Sequence, residues 1–158
     1  MRGQQRTNKS ILMFTPTSVC AITWFSPRPD RPMLLNLAIQ DFAVVDHLEI
    51  DLYDGMTCIT GETGAGKSIM LDALGLCVGD RADSRAIRPG ASRTDISACF
   101  DVSRNTRAQI WLTERDLLEA TGECILRRTI TAEGRSRAYI NGTPATLSDC
   151  ADLGQLLV

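Results

Sequence analysis

From Met33 onward, apolar and polar residues recur with clear periods, and those periods predict the elements. Leu34 to Gln40 reads as a strand. In the next stretch Leu48, Ile50 and Leu52 alternate with His47, Glu49 and Asp51, the period of two that marks a half-buried strand. Tyr53-Asp54-Gly55 is a turn, and Met56 to Thr60 is a short apolar run suited to a buried strand. A glycine-rich loop, Gly61 to Gly66, follows. Lys67 to Val78 then carries apolar residues at 69, 70, 73, 74 and 77, one face of a helix, with Gly79 placed to cap it. Asp80 to Arg93 is polar and broken by Pro89-Gly90.

Further on, Ile96, Ala98, Phe100 and Val102 alternate as a strand, and Asn105 to Ala120 predicts a helix with Ile110, Trp111, Leu117 and Leu118 facing inward. Cys124 to Thr131 and Ser136 to Ile140 flank Ala132-Glu133-Gly134-Arg135 as a hairpin, and Asn141-Gly142 marks another tight turn. Leu147 to Val158 predicts a helix interrupted by Gly154.

Residues 1–32 follow no such period. Pro16, Pro27, Pro29 and Pro32 punctuate them, and a proline-dense stretch continues neither a helix nor a central strand. Ile11 to Phe25 follows basic residues as a secretory signal does. Thr15, Pro16, Thr17 and Ser18 break its apolar run, however, and no small-x-small cleavage site follows. No run is long enough to span a bilayer, so no membrane association is expected. The expectation is a disordered extension upstream of a start at Met33, with a targeting or regulatory arm as the alternative. Residues 33–158 form the folded unit.

The composition is that of one globular domain: 158 residues, 44% hydrophobic and 23% charged. A net charge of −2 leaves no global basic field to draw the whole chain onto nucleic acid, so any such contact is local. Cationic residues are arginine except for Lys9 and Lys67, and arginine suits bidentate contacts to phosphate or carboxylate. The 6 cysteines form no C-x-x-C pair and there is 1 histidine, which argues against zinc. They fall mostly in apolar runs, as buried small hydrophobes of a reducing cytosol do.

The chemistry lies in Gly61-Glu62-Thr63-Gly64-Ala65-Gly66-Lys67-Ser68, which fits G-x-x-x-x-G-K-[ST], the P-loop. Its glycines let consecutive backbone N–H groups close on phosphate oxygens. The helix N-terminus behind them adds unpaired donors and a favourable dipole. Lys67 brings a point charge to the β- and γ-phosphates, and the Ser68 hydroxyl is a hard oxygen ligand for Mg²⁺. A strand before and a helix after supply the required context. Hydrolysis needs a further carboxylate at the end of an apolar strand. No run of four apolar residues ending in Asp follows the loop, and Val44-Val45-Asp46 precedes it in a surface hairpin. No catalytic residue is therefore assigned.

At this point the chain resembles the RecN family of bacterial DNA repair proteins, relatives of the structural-maintenance-of-chromosomes (SMC) proteins. Met33 to Leu37, Phe42 to Val45, Leu52, Gly55-Met56-Thr57 and the P-loop look like the start of an ABC-type ATPase head. The narrower likeness rests on Leu74-Gly75-Leu76, Gly79 to Asp83, Ile87 to Ala91, Arg127-Arg128, and Gly134 to Gly142. It extends over essentially all of 33–158 and none of 1–32.

The resemblance implies an α/β fold: the N-terminal portion of a P-loop NTPase head of the ABC type, with an antiparallel sub-sheet. It implies ATP and Mg²⁺ as cofactors and double-strand break repair as the setting, in the cytoplasm on the nucleoid. DNA and a second head in a homodimer are the implied partners. A head segment of another SMC-like or RecF-like ATPase, or a non-catalytic remnant with weak nucleotide or DNA binding, are the alternatives. Family members continue through a Q-loop, a coiled-coil arm, a signature motif, a Walker B carboxylate and a switch histidine, none of which is found here. The helix face at 69, 70, 73, 74 and 77 and the Met56–Thr60 strand are accordingly expected to remain partly uncovered and to favour association.

Lesser features complete the reading. Arg127, Arg128, Arg135 and Arg137 cluster on one hairpin, expected as a solvated face paired with Glu123 and Glu133 but split between faces by strand alternation. Among Arg81, Arg85, Arg88 and Arg93, Arg88 is the candidate for an anion or DNA contact. Gln155 and His47 are expected on the surface, and Trp111 and Trp24 in buried positions.

Overall fold

A computed structural model describes residues 22–24, 33–53, 57–59, 67–82 and 86–158. In chain order its elements are β1 (Ile22–Trp24), β2 (Met33–Phe42), β3 (Val45–Asp51), β4 (Thr57–Ile59), α1 (Lys67–Cys77), β5 (Arg93–Asp101), α2 (Thr106–Thr113), β6 (Glu123–Thr131), β7 (Ser136–Ile140), β8 (Thr143–Ala145) and α3 (Leu147–Leu157). Six strands form one antiparallel sheet in the order β3-β2-β5-β6-β7-β8. The remaining two pair with each other, Ile22 opposite Ile59 and Trp24 opposite Thr57. The first 32 residues thus contribute a strand where the sequence predicted no element.

The period of two decides which way each side chain faces. On β5, Thr94, Ile96, Ala98 and Phe100 are buried while the residues between them are partly exposed. Cross-strand register lines up Leu48, Ile39, Ile96, Arg128 and Ala138 on the inner face. On the outer face it lines up Glu49, Ala38, Ser97, Arg127 and Tyr139. Helices α1, α2 and α3 add Ile69, Leu74, Leu112 and Leu153 to the inner cluster, so among the described residues the core lies on that side of the sheet.

This arrangement overturns the expectation that the apolar face of α1 stays uncovered. Ile69, Met70, Ala73, Leu74 and Cys77 are all buried, because α1 packs on β2, β5 and β6. An antiparallel sheet with one apolar face is sufficient cover for this helix of about three turns. The β4 edge is also paired, through β1.

The helix predicted over 105–120 is shorter and turned differently. It stops after Thr113: Asp116 adopts a left-handed conformation (φ 56°), and the Leu117 N–H donates back to the Leu112 carbonyl, closing the turn as a glycine would. Ala108 and Leu112 are the buried residues, whereas Ile110 and Leu118 are exposed, contrary to the predicted phase. Asn105 caps the helix by accepting from the Ala108 N–H, and its amide donates to the Leu156 carbonyl, tying α2 to the last turn of α3.

The remaining punctuation follows the sequence. Gly134 (φ 80°) turns the β6–β7 hairpin, and Asn141 and Gly142 (φ 48° and 78°) make the paired left-handed turn between β7 and β8. Helix α3 opens on a reciprocal capping box between Thr146 and Asp149, whose hydrogen bonds from the Thr146 hydroxyl and N–H hold the carboxyl below its usual pKa. It runs through Gly154 without interruption. That glycine marks a close approach: an added Cβ would lie 2.7 Å from Val78 Cβ.

Candidate functional site

Of the predicted phosphate loop, Gly61, Glu62, Thr63, Gly64, Ala65 and Gly66 lie outside the described residues. What surrounds them is described. The loop leaves the strand Thr57–Ile59 and re-enters regular structure at Lys67, the first residue of α1. Ser68 follows in the first turn and is exposed. No acidic side chain occupies the first turn of α1, so nothing there opposes an incoming anion. The exposed Ser68 hydroxyl and the lack of acidic side chains in that turn are compatible with a phosphate group and its Mg²⁺.

The far end of α1 is fixed equally firmly. Gly79 (φ 103°) takes the left-handed position, and the Asp80 N–H donates to the Gly75 carbonyl at 2.9 Å, with Gly79 N–H to Leu76 at 3.4 Å. This pairing of a 6→1 with a 5→2 bond satisfies the last carbonyls of the helix. Only glycine fits there, since an added Cβ would meet the Ala151 backbone at 2.8 Å. The helix that carries Lys67 is thus clamped along its apolar face and at its C-terminus.

Arg88 is engaged by acids. Its Nη1 donates to Asp46 Oδ1 at 2.9 Å and lies 3.6 Å from Asp41 Oδ1. The surrounding backbone is zipped to the β2–β3 turn: Arg88 N–H donates to the Asp41 carbonyl, Ala43 N–H to the Ala86 carbonyl, and Ile87 forms a bridge with Phe42. Arg81 and Arg93 are exposed, and Arg85 lies outside the described residues.

The hairpin arginines divide by parity. Arg127, on the outer face, makes a bidentate pair with Asp95, both bonds 2.7 Å, and not with Glu123 or Glu133 as expected. The hydrogen bond, followed by charge attraction, pushes its guanidinium above the ordinary arginine value. Thr129 also donates to Asp95, and Arg127 lies over the Tyr139 ring at 5.9 Å. Arg128, one residue on, is 1% exposed and far from a solvated face. Its Nε donates to Ser136 Oγ at 2.7 Å, while Nη1 has no hydrogen-bond partner among the described residues. Burial pushes its pKa down, and the nearby thiols of Cys150 and Cys77 act the other way. Arg135 and Arg137 are exposed.

Alternation could have revealed Arg128, which shares the parity of Cys124, Leu126 and Ile130. Asp95 was not legible, because it meets Arg127 only through the β5–β6 register. The same holds for the Arg88 pairs, which depend on the Phe42–Ile87 bridge.

The other candidates settle into structural positions. His47 and Gln155 are exposed, as expected; Trp111 is half-buried under Arg115, whose guanidinium carbon sits 3.9 Å from the ring centre. Cys77, Cys124 and Cys150 are buried free thiols, and Cys99 is half-buried on the outer face. Burial, chiefly, pushes Cys77 and Cys124 each up to about 12. Among the described residues no group of three or more His, Cys, Asp or Glu is placed to hold a metal ion, and no helix is long and apolar enough to cross a membrane.

Comparison with known proteins gives this geometry a family. The AAA domain family matches residues 36–146. DNA repair protein RecN of Vibrio cholerae is 54% identical over 126 residues, and its counterpart from Haemophilus influenzae 48% over 128. Each alignment takes in 80% of this chain and 23% of the relative, so the chain spans about a quarter of the curated relatives it matches. A solved chain, from work on ATP-driven dimerization and DNA-stimulated activation of SMC ATPases, superposes with a TM-score of 0.63 at 23% identity, covering 78% of each chain. At that identity it speaks for the fold: the N-terminal portion of an ABC-type ATPase head. The chain belongs to the AAA domain family, and within it to the RecN type.

Proposed function

We propose that this chain is the ATP-binding segment of a RecN-like head that acts in recombinational repair of DNA double-strand breaks. The observation that carries the reading is a complete P-loop motif set between the strand Thr57–Ile59 and a helix that opens at Lys67. It lies inside a stretch about half identical to proteins named for DNA repair. Residues 33–158 are the head segment and residues 1–32 an extension to it.

In this reading the backbone N–H groups of Gly61 to Gly66 surround the phosphates and the N-terminus of α1 faces them. Glu62, Thr63 and Ala65 serve as spacers whose main-chain donors join the cradle. Lys67 would bring its positive charge to the β- and γ-phosphates, and Ser68 would offer its hydroxyl to Mg²⁺, which would supply further charge neutralisation there. Among the described residues none is assigned to orient an attacking water, and the role proposed for this chain is nucleotide binding. DNA and a second head are its partners, and the cytoplasm, on the nucleoid, is its place. Arg88 is the side chain assigned to an anion or DNA contact.

The test is calorimetry with MgATP and a non-hydrolysable analogue on the whole chain. Wild type binds, and Lys67→Ala loses that binding while keeping its far-ultraviolet spectrum and melting temperature. Equal heats for the two proteins would remove the phosphate role from Lys67 and the nucleotide from the reading.

A further inference from the structure

The acids around Arg88 define how that contact must work. We propose that Asp41 and Asp46 hold Arg88 in reserve, so that a phosphate oxyanion reaches its guanidinium only by displacing their carboxylates. The proposal rests on the assignment of Arg88 as the anion contact and specifies its regulation.

Three observations support it. The backbone around Arg88 is fixed to the β2–β3 turn by the hydrogen bonds to Asp41 and from Ala43, and by the Phe42–Ile87 bridge. Only the side chain is free to move. Both carboxylates converge on the same nitrogen, Nη1, at 2.9 and 3.6 Å. One guanidinium between two carboxylates leaves a net charge of −1, so the paired guanidinium offers an anion less attraction than a released one would.

The turn is shaped for this convergence. Asp41 and Ala43 both take left-handed conformations (φ 53° and 51°), folding the strand end so that Asp41 and Asp46 share one side. The cluster is reachable from solvent, the side chains of Arg88, Asp41 and Asp46 being 41%, 25% and 75% exposed. Exposed ion pairs are weak enough to be exchanged, and losing one changes a competing equilibrium by no more than about fivefold. The clamp therefore weakens access of phosphate to Arg88 by that modest factor without closing it off.

The experiment follows the Arg88 Nε–H resonance, assigned with Arg88→Lys, during titration of the whole chain with inorganic pyrophosphate. In wild type the resonance responds weakly. In Asp46→Asn it responds at about two- to fivefold lower pyrophosphate, and Asp41→Asn, whose asparagine tolerates the left-handed backbone, moves it the same way. Two further arms identify the source of the phosphate. With a short DNA duplex, Asp46→Asn tightens binding and steepens the dependence of log K on log salt by about 0.9, one additional phosphate contact, and Arg88→Ala cancels both. With an ATP analogue in place of DNA, the same gain and cancellation assign the contact to nucleotide.

Equal Arg88 responses in wild type and both variants, or weaker binding in Asp46→Asn, would overturn the clamp and make the aspartates mere supports for the arginine. Pyrophosphate is read at Arg88 itself, so this outcome is independent of whether Lys67 binds nucleotide.

Discussion

Arg127 and Arg128 are neighbours in sequence and face opposite sides of the same sheet. Arg127 lies on the outer face in a row with Ala38, Ser97 and Tyr139, finds Asp95 in bidentate geometry and remains half in water. Arg128 lies on the inner face between Ile96 and Ala138, with one neutral hydroxyl for a partner. The outer face is polar and held by exchangeable contacts; the inner face is packed by three helices. Identical side chains thus carry different energetic weight, set by the parity of one strand. The inner face thus carries the packed core, and the outer face the exposed polar contacts.

The sharpest way to break that division is to cut into the inner face. Phe100, 1% exposed near the end of β5, truncated to alanine is expected to cost about 3–5 kcal/mol in a urea melt. The same change at Ile125, 41% exposed on the other face, is expected to cost under about 1 kcal/mol. Comparable losses at the two sites would mean that the outer face is covered in solution.

Arg128 gives the intermediate effect and tests its sign. A buried guanidinium with no carboxylate partner among the described residues is poorly compensated, so Arg128→Met, which keeps the length and apolar stem, is expected to melt at the same or a higher denaturant concentration. Arg128→Ala leaves a cavity as well and is expected to lose about 2–3 kcal/mol. A loss in Arg128→Met as large as in Arg128→Ala would show that the charge is satisfied and needed.

The smallest effect belongs to Arg127. Its pair with Asp95 is exposed, so Arg127→Ala is expected to cost about 0.5–1 kcal/mol at low salt and less at high salt. A cost that does not change with salt would place the pair in a drier setting than its exposure indicates.

Much of this division was legible in the sequence, and the residues show why. Ile96, Ala98, Phe100 and Val102 alternate strictly, Gly134 and Asn141-Gly142 supply left-handed turn positions, and the α1 periodicity names its buried face correctly. The shorter α2 was hidden because aspartate, at Asp116, does the work of a capping glycine. Strand β8 was hidden because three residues containing Pro144 carry no period, and β1 because it lies among prolines. The cover over α1 was misjudged because a helix face says how apolar its partner is, not which part of the chain provides it. At the candidate site the P-loop motif was plain, local in sequence as it is. The partners of Arg88, Arg127 and Arg128 are set by register and by an isolated bridge, and no window of sequence contains them.

The two glycines at the junction of α1 and α3 have a mechanical consequence. Gly79 lies against Ala151 and Gly154 against Val78, where an added Cβ would meet the backbone nitrogen of Ala151 at 2.8 Å and the backbone oxygen of Val78 at 3.0 Å. Side chains flex by rotamer and absorb small shifts; touching backbones do not. A displacement of α3 is therefore transmitted without slack to the end of the helix whose first residue is Lys67.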